Sequence, residues 1–381
     1  GVSTSMYLFA HEAKKDPKLL LLNGNEGFSY NSYAEYYDGH EHKIFGLVSD
    51  EWNVNRRLWL YGGVRLEHLN VRGLAANDMN TGNARHIGFS LADGGVVKNH
   101  FSDNHFNYAF IGSVRYALLR GFGLQAEYSS SVTHSQLFHY GTYHYPTQKG
   151  MTTNYFRGGI FWKNQWIDLT SQITHISMSN SQERPNLSHV LTKDVGDLKA
   201  GMSESFTQNY FYDIATLGWL TDAVITPVKG LSVHLMFTIR DPRYKNYKIT
   251  PTFSDGVTQT YDFTDKTITA LSKTELEIEP SYRFSKWRVW LSARYFSKQY
   301  INKTNSLYCN GRWETFGGDD FQLNKHINFA ASVVNILNQK GASGTIPAAD
   351  LITDPSLYKN YVMAGTFIRP FTFEFTTKLK L

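Results

Sequence analysis

The C-terminal segment alternates between apolar and polar side chains, a pattern suited to a β-strand with two unlike faces. Phe371, Phe373, Phe375, Leu379 and Leu381 fall on one side. Thr372, Glu374, Thr376, Lys378 and Lys380 fall on the other, and Thr377 is the one polar residue on the apolar side. The same period recurs over 231–240, 275–283 and 287–295. Wound as a helix, such a segment would spread its apolar groups around the whole circumference.

Tight turns are expected near Asn55-Arg56, Arg120-Gly121, Asn164-Gln165, Val228-Lys229-Gly230, Ser285-Lys286 and Asn324-Lys325. Long Gly-, Asn-, Asp- and Ser-rich connections are expected at about 14–42, 74–103, 135–153, 180–205, 241–272, 300–311 and 339–360. Short and long connections alternate throughout, as in an outer-membrane barrel with short periplasmic turns and long outer loops. The spacing gives about fourteen strands, an even number. The fold class read from this pattern is all-β, a transmembrane antiparallel β-barrel.

Composition fits that reading. Aromatic residues make up 15% of the 381, whereas charged residues make up 19%. The chain contains no run of about 18 apolar residues, which excludes spanning helices. A mean hydropathy of −0.37 does not argue against strands, because lipid-facing and lumen-facing residues cancel along each one. Trp52, Trp59, Trp162, Trp166, Trp219, Trp287 and Trp313 are expected at strand ends as interfacial anchors. A soluble sandwich or propeller competes, but its strands average about 5–6 residues, and many here run longer. The net charge of +5 is spread along the chain without a basic tract, so no nucleic-acid partner is expected. A single cysteine, Cys309, excludes an internal disulfide.

A barrel wall turns its polar alternates inward. The residues expected to line the lumen are Arg65, Glu67, Gln125, Glu127, Asp168, Gln172, His234, Arg240, Glu275, Glu277, Glu279, Arg288, Arg294, Glu374 and Lys378. If Ser285-Lys286 is a two-residue hairpin, Glu277 falls opposite Arg294, a pairing that contributes roughly 0.2–1 kcal/mol. The row Glu275, Glu277 and Glu279 could be read as catalytic carboxylates, yet its period fits a wall equally well. No phosphate loop or nucleophile elbow is present, so no enzyme activity and no cofactor are expected. Tyr140, Tyr143, Tyr145, His139 and His144 are candidate loop residues for capturing a ligand, with Tyr33, Tyr36 and Tyr37 beside them. His134, His139 and His144 recur every five residues, a spacing that matches no standard metal-ligand geometry, so a solvated loop is the expectation.

Residues 44–52 and 58–66 resemble a hairpin of TonB-dependent receptors, with Glu51-Trp52 before the turn and Gly63-Val64-Arg65 after it. Residues 329–338, ending in Asn335-Ile336-Leu337-Asn338, are similar to the family's penultimate strand. Arg369-Pro370-Phe371-Thr372-Phe373 is similar to its last strand, although the family usually ends in an aromatic and this chain ends in Leu381. The loop style resembles the Bacteroidota type, called SusC-like. The resemblance implies a barrel of about 22 strands, of which residues 1–381 would be the C-terminal barrel segment, with the plug domain and the first strands outside it. It further implies a nutrient importer whose partners are outer-membrane lipids, a plug domain or separate N-terminal chain, the TonB complex and a surface lipoprotein of the SusD type. A passive pore or a structural barrel subunit is the competing function.

Overall fold

The computed structural model describes residues 2–12, 34–78, 96–137, 149–183, 185–196, 198–207, 210–344, 349–358 and 366–379. Fourteen strands form one sheet: β1 (Val2–Glu12), β2 (Ala34–Asn53), β3 (Leu58–Asp78), β4 (Val96–Leu119), β5 (Phe122–Thr133), β6 (Met151–Lys163), β7 (Ile167–Glu183), β10 (Tyr210–Ile225), β11 (Leu231–Lys245), β14 (Thr274–Phe284), β15 (Trp287–Phe296), β18 (Arg312–Gln322), β19 (Ile327–Val334) and β22 (Thr372–Leu379). Each pairs with its neighbours along this chain order. Four two-stranded hairpin sheets sit in or between the long connections: β8 (Asn186–Val190) with β9 (Ser203–Thr207), β12 (Lys248–Ile249) with β13 (Tyr261–Asp262), β16 (Gln299–Tyr300) with β17 (Tyr308–Cys309), and β20 (Ala342–Ser343) with β21 (Thr366–Phe367). No helix among the described residues is long and apolar enough to cross a membrane.

All six expected turns are present, and their chemistry explains them. Asn55, Asn164 and Asn324 each accept backbone N–H bonds two and three residues on, closing Asx-type turns. The Arg120-Gly121 turn requires glycine: Gly121 has φ +78°, and a Cβ there would lie 2.0 Å from the Lys163 carbonyl oxygen. Ser285 takes φ +50° in the two-residue turn before β15.

The strand boundaries correct the sequence reading. β2, β3 and β4 run 20, 21 and 24 residues, although about 9–11 suffice to cross a bilayer. Residues 34–42, 74–78 and 96–103, read as loop, are strand. Sheet hydrogen bonding continues there after apolar alternation has stopped, so the pattern that located the strands could not locate these ends. Trp219 likewise lies within β10, opposite Ile173 and Ile239, and not at a strand end.

Two compact units divide the chain, one of residues 1–50, 62–111 and 130–152, the other of residues 51–61, 112–129 and 153–381. The first holds a small core of Leu69, Val71 and Leu137 with Phe101 against it. The second holds an aromatic core built on Tyr244 near the end of β11 together with Leu187, Tyr247, Ile249, Phe253 and Phe263 from the connections beyond the main sheet. The main sheet of the second unit carries one apolar and one polar face. Val289, Leu291, Phe373, Phe375 and Leu379 stand exposed on the apolar face. Phe329 stacks on Phe375 there, and Trp287 lies tilted against Phe321.

Candidate functional site: a paired polar wall beneath a folded set of outer connections

On the polar face, charges meet across strands. Arg294 Nη2 lies 2.8 Å from Glu277 Oε1 in the register the Ser285-Lys286 turn dictates. Arg240 bonds Glu275 and donates from Nε to the Ser272 carbonyl at 3.0 Å. Glu279 stands opposite His234, whose Nε2 is 3.2 Å from Asp222. The glutamate row is thus divided among different cross-strand neighbours and forms no acid–acid pair. Glu127 meets Arg157 at 2.8 Å, and Asp168 meets Lys163 at 2.5 Å beside the turn. Glu374 meets Arg369 at 2.6 Å, while Arg288 reaches Asp320 only at 3.9 Å. Gln172 is buried, Gln125 half-buried and Lys378 exposed.

In the first unit Arg65 pairs with Glu67, which also accepts from Asn107 Nδ2 at 2.9 Å. Asn107 Oδ1 in turn accepts the His134 backbone N–H, and His134 stacks on His105 with centroids 4.6 Å apart. Glu41, buried, accepts the Leu137 N–H at 2.8 Å and holds Lys43 at 2.6 Å. A cavity of about 360 Å³ is lined by Lys43, Arg65, Glu67, Asn107 and Gln136, among others. His40 and His42, read as loop residues, lie in β2. Tyr36 and Tyr37 also belong to β2, whereas Tyr33, His139, Tyr140, Tyr143, His144 and Tyr145 lie outside the described residues.

Among the described residues between 183 and 358 the connections are folded, which sequence reasoning missed. Tyr247 is fully buried, stacked on Tyr212 at 4.7 Å and edge-on to Tyr244 and Phe263 at 5.4 and 5.0 Å. Beside it Lys303 Nζ lies 2.6 Å from Asp350 and 3.4 Å from Glu183, and Tyr247 donates to Glu183. One lysine therefore serves two carboxylates, the three groups coming from three separate stretches of chain. Burial pushes the Glu183 and Asp350 carboxyls up, more than the shared lysine can offset. Burial also works against the Lys303 ammonium, but the two acids outweigh it and hold that group above the usual lysine range. Glu183 ends a 17-residue strand, well past the length a bilayer needs, so this cluster stands outside the spanning region.

Two more knots fix these connections. Asn302, fully buried, accepts the Leu307 N–H and donates to the Ala349 carbonyl at 3.0 Å. Asp255 accepts from Thr192 N and Oγ1 at 2.8 Å and from Val257 N at 3.1 Å, and its Oδ2 lies 3.0 Å from His189 Nε2. The Thr192 backbone N–H leads these donors in holding the carboxyl well below the usual carboxylate range. The missed signal was the density of Tyr and Phe between 244 and 263, too apolar for a solvated loop.

No family model matches the sequence, and no curated protein does. Solved structures match by fold. The ferric-catecholate import receptor Fiu of E. coli K12 superposes with TM-score 0.63 at 14% identity, over 93% of this chain and 46% of its own. The ferric yersiniabactin uptake receptor FyuA of Yersinia pestis gives 0.63 at 10%, over 91% and 47%. The copper transporter OprC gives 0.63 at 12%, over 92% and 49%. The fold is that of outer-membrane import receptors. The chain spans about half the length of the receptors it matches. Those neighbours are receptors and transporters, not enzymes.

Proposed function

We propose that this chain is the C-terminal barrel portion of a TonB-dependent outer-membrane nutrient importer. The observation that carries the reading is the fourteen-strand sheet with opposed polar and apolar faces, matched over nine-tenths of the chain by import receptors. In hydrocarbon every backbone N–H and C=O must find a partner, which a closed ring of strands provides. The apolar face then meets lipid. The polar residues named above line the lumen, where a plug from the same protein or a separate chain is seated. The ion pairs give that wall a mixed-sign, low-net-charge surface against which a protein segment can slide without strong trapping. The folded outer connections offer a preorganised rim for capturing cargo, since little chain entropy remains to be lost on binding.

The loop style supports a SusC-like importer of the Bacteroidota type, with a SusD-type surface lipoprotein over the rim. Such a lipoprotein should remain with the protein when it is purified in mild detergent. Import itself is tested by deleting the energising inner-membrane complex. Uptake of the nutrient should stop; uptake continuing at the normal rate would exclude active import and leave a passive pore. Conductance of the purified protein in a planar bilayer measures that second reading directly.

A further inference from the structure

In the outer connections an amine and two carboxyls are held against one another in a dry site. Lys303 Nζ lies 2.6 Å from Asp350 Oδ2 and 3.4 Å from Glu183 Oε1, and the Lys303 and Asp350 side chains are only 10% and 4% exposed. Their neighbours clamp both backbones. Asn302, next to Lys303, donates to the carbonyls of Ala349 and Ile352 at 3.0 and 3.1 Å, on either side of Asp350. Ser306 Oγ donates to the Ile352 carbonyl at 2.7 Å, and Thr304 donates there too. The Lys303 backbone N–H bonds the Asp350 carboxyl, and Tyr247 donates to Glu183. The amine and the acid are thus fixed in contact before any reaction. Orientation of this kind gives effective molarities of about 10⁵–10⁸ M in intramolecular reactions.

We propose that Lys303 and Asp350 condense to an isopeptide bond, with Glu183 as the proton carrier. The Lys303 Nζ lone pair attacks Asp350 Cγ, the Nζ–Cγ bond forms and one Cγ–O bond breaks. Glu183 relays two protons from Nζ to the departing oxygen, which leaves as water. Ammonium and carboxylate together thus give an amide and one water, with no electron gained or lost and no co-reactant. Neutral amine beside neutral acid is a tautomer of the ion pair, and burial narrows the gap between the two because the charged form loses its hydration. Burial holds both carboxyls above their usual range, which favours the protonated acid that attack requires. The same two acids hold the lysine above its own range, so free amine is scarce and joining is a single slow maturation event. The Lys303 backbone N–H stabilises the charge that develops on the Asp350 carboxyl during attack. The product ties two stretches 47 positions apart, constraining the unfolded chain as a disulfide does, in a chain whose single cysteine excludes an internal disulfide. The assignment rests on contact geometry and holds whether the protein imports actively or forms a pore.

Intact mass spectrometry of the whole protein, purified in detergent and then denatured, reads the bond directly. Wild type should be lighter than its sequence predicts by one water. Trypsin should release residues 299–312 and 341–359 as one branched product, uncut after Lys303. Lys303→Arg, which keeps the cation but cannot form this amide, should have the full mass, and so should Asp350→Ala. Glu183→Gln should slow joining by about 100-fold, read as the fraction joined in freshly made protein. The wild-type measurement depends on no variant folding. Wild type of full mass, cut after Lys303 into separate peptides 299–303 and 304–312, overturns the proposal. A lighter protein without the branched product overturns it too, because the water was then lost elsewhere. Joining at the wild-type rate in Glu183→Gln overturns the role given to Glu183.

Discussion

Among single residues, Lys303 has the largest predicted effect. Its ammonium, only 10% exposed, is shared by Asp350 and Glu183, so Lys303→Met leaves two carboxylates facing each other in a dry site. Removing one partner of a buried pair costs about 3–5 kcal/mol. The loss should fall on the outer connections: hydrogen exchange at Tyr247 and at Asn305, whose N–H donates to the Asn302 carbonyl, should accelerate strongly, while amides of β14 and β15 stay protected. The Glu277–Arg294 pair is different. Arg294 is 43% exposed, so screening leaves a modest contribution. A double-mutant cycle with Glu277→Gln and Arg294→Gln should give a coupling of about 0.2–1 kcal/mol; a coupling of zero or of opposite sign would contradict a net stabilising pair. That pairing was legible in the sequence, because the turn length and the period together fix the register. The Lys303 cluster was not, because its members lie 120 and 47 positions from one another along the chain and no periodic pattern connects them.

At the scale of elements, turns and outer hairpins answer to different chemistry. Gly121 holds a left-handed conformation against the Lys163 carbonyl oxygen. Gly121→Ala should therefore lower the thermal midpoint, whereas Ala at Arg120, its exposed neighbour, should leave it nearly unchanged. The hairpin of β8 and β9 is tied to the 253–257 turn by Asp255. A carboxyl depressed in the folded state stabilises the fold above its unfolded value, about 3.9, and the contribution is lost as pH falls through the lower folded value. Exchange at Thr192 and Val257, corrected for intrinsic rates, should thus stay slow from pH 7 to about 5 and open in stronger acid. Asp255→Asn should remove the pH dependence. The raised Glu183 and Asp350 carboxyls act in the opposite sense: their contribution is full in acid and diminishes as pH rises through the folded values. The turns were readable because Asn and Gly at fixed offsets have few other uses. The hairpins were hidden, since strands of two to five residues are too short for a period to show.

At the scale of the whole molecule, strand number, chain-order neighbours and the alternation of short and long connections all follow from hydrophobic period and turn chemistry. Where the strands end does not, because backbone pairing continues after the demand for an apolar face has ceased. The central claim is that side chains alternate between hydrocarbon and water along each spanning strand. With Cys309 replaced by Ser, single cysteines at Phe373, Glu374, Val289 and Arg288 can be spin-labelled in reconstituted bilayers and relaxed by oxygen or by a water-soluble nickel chelate. The account predicts that labels at 373 and 289 respond to oxygen and those at 374 and 288 to nickel. Labels at 373 and 289 that are shielded from oxygen, with no alternation along the strand, would contradict it.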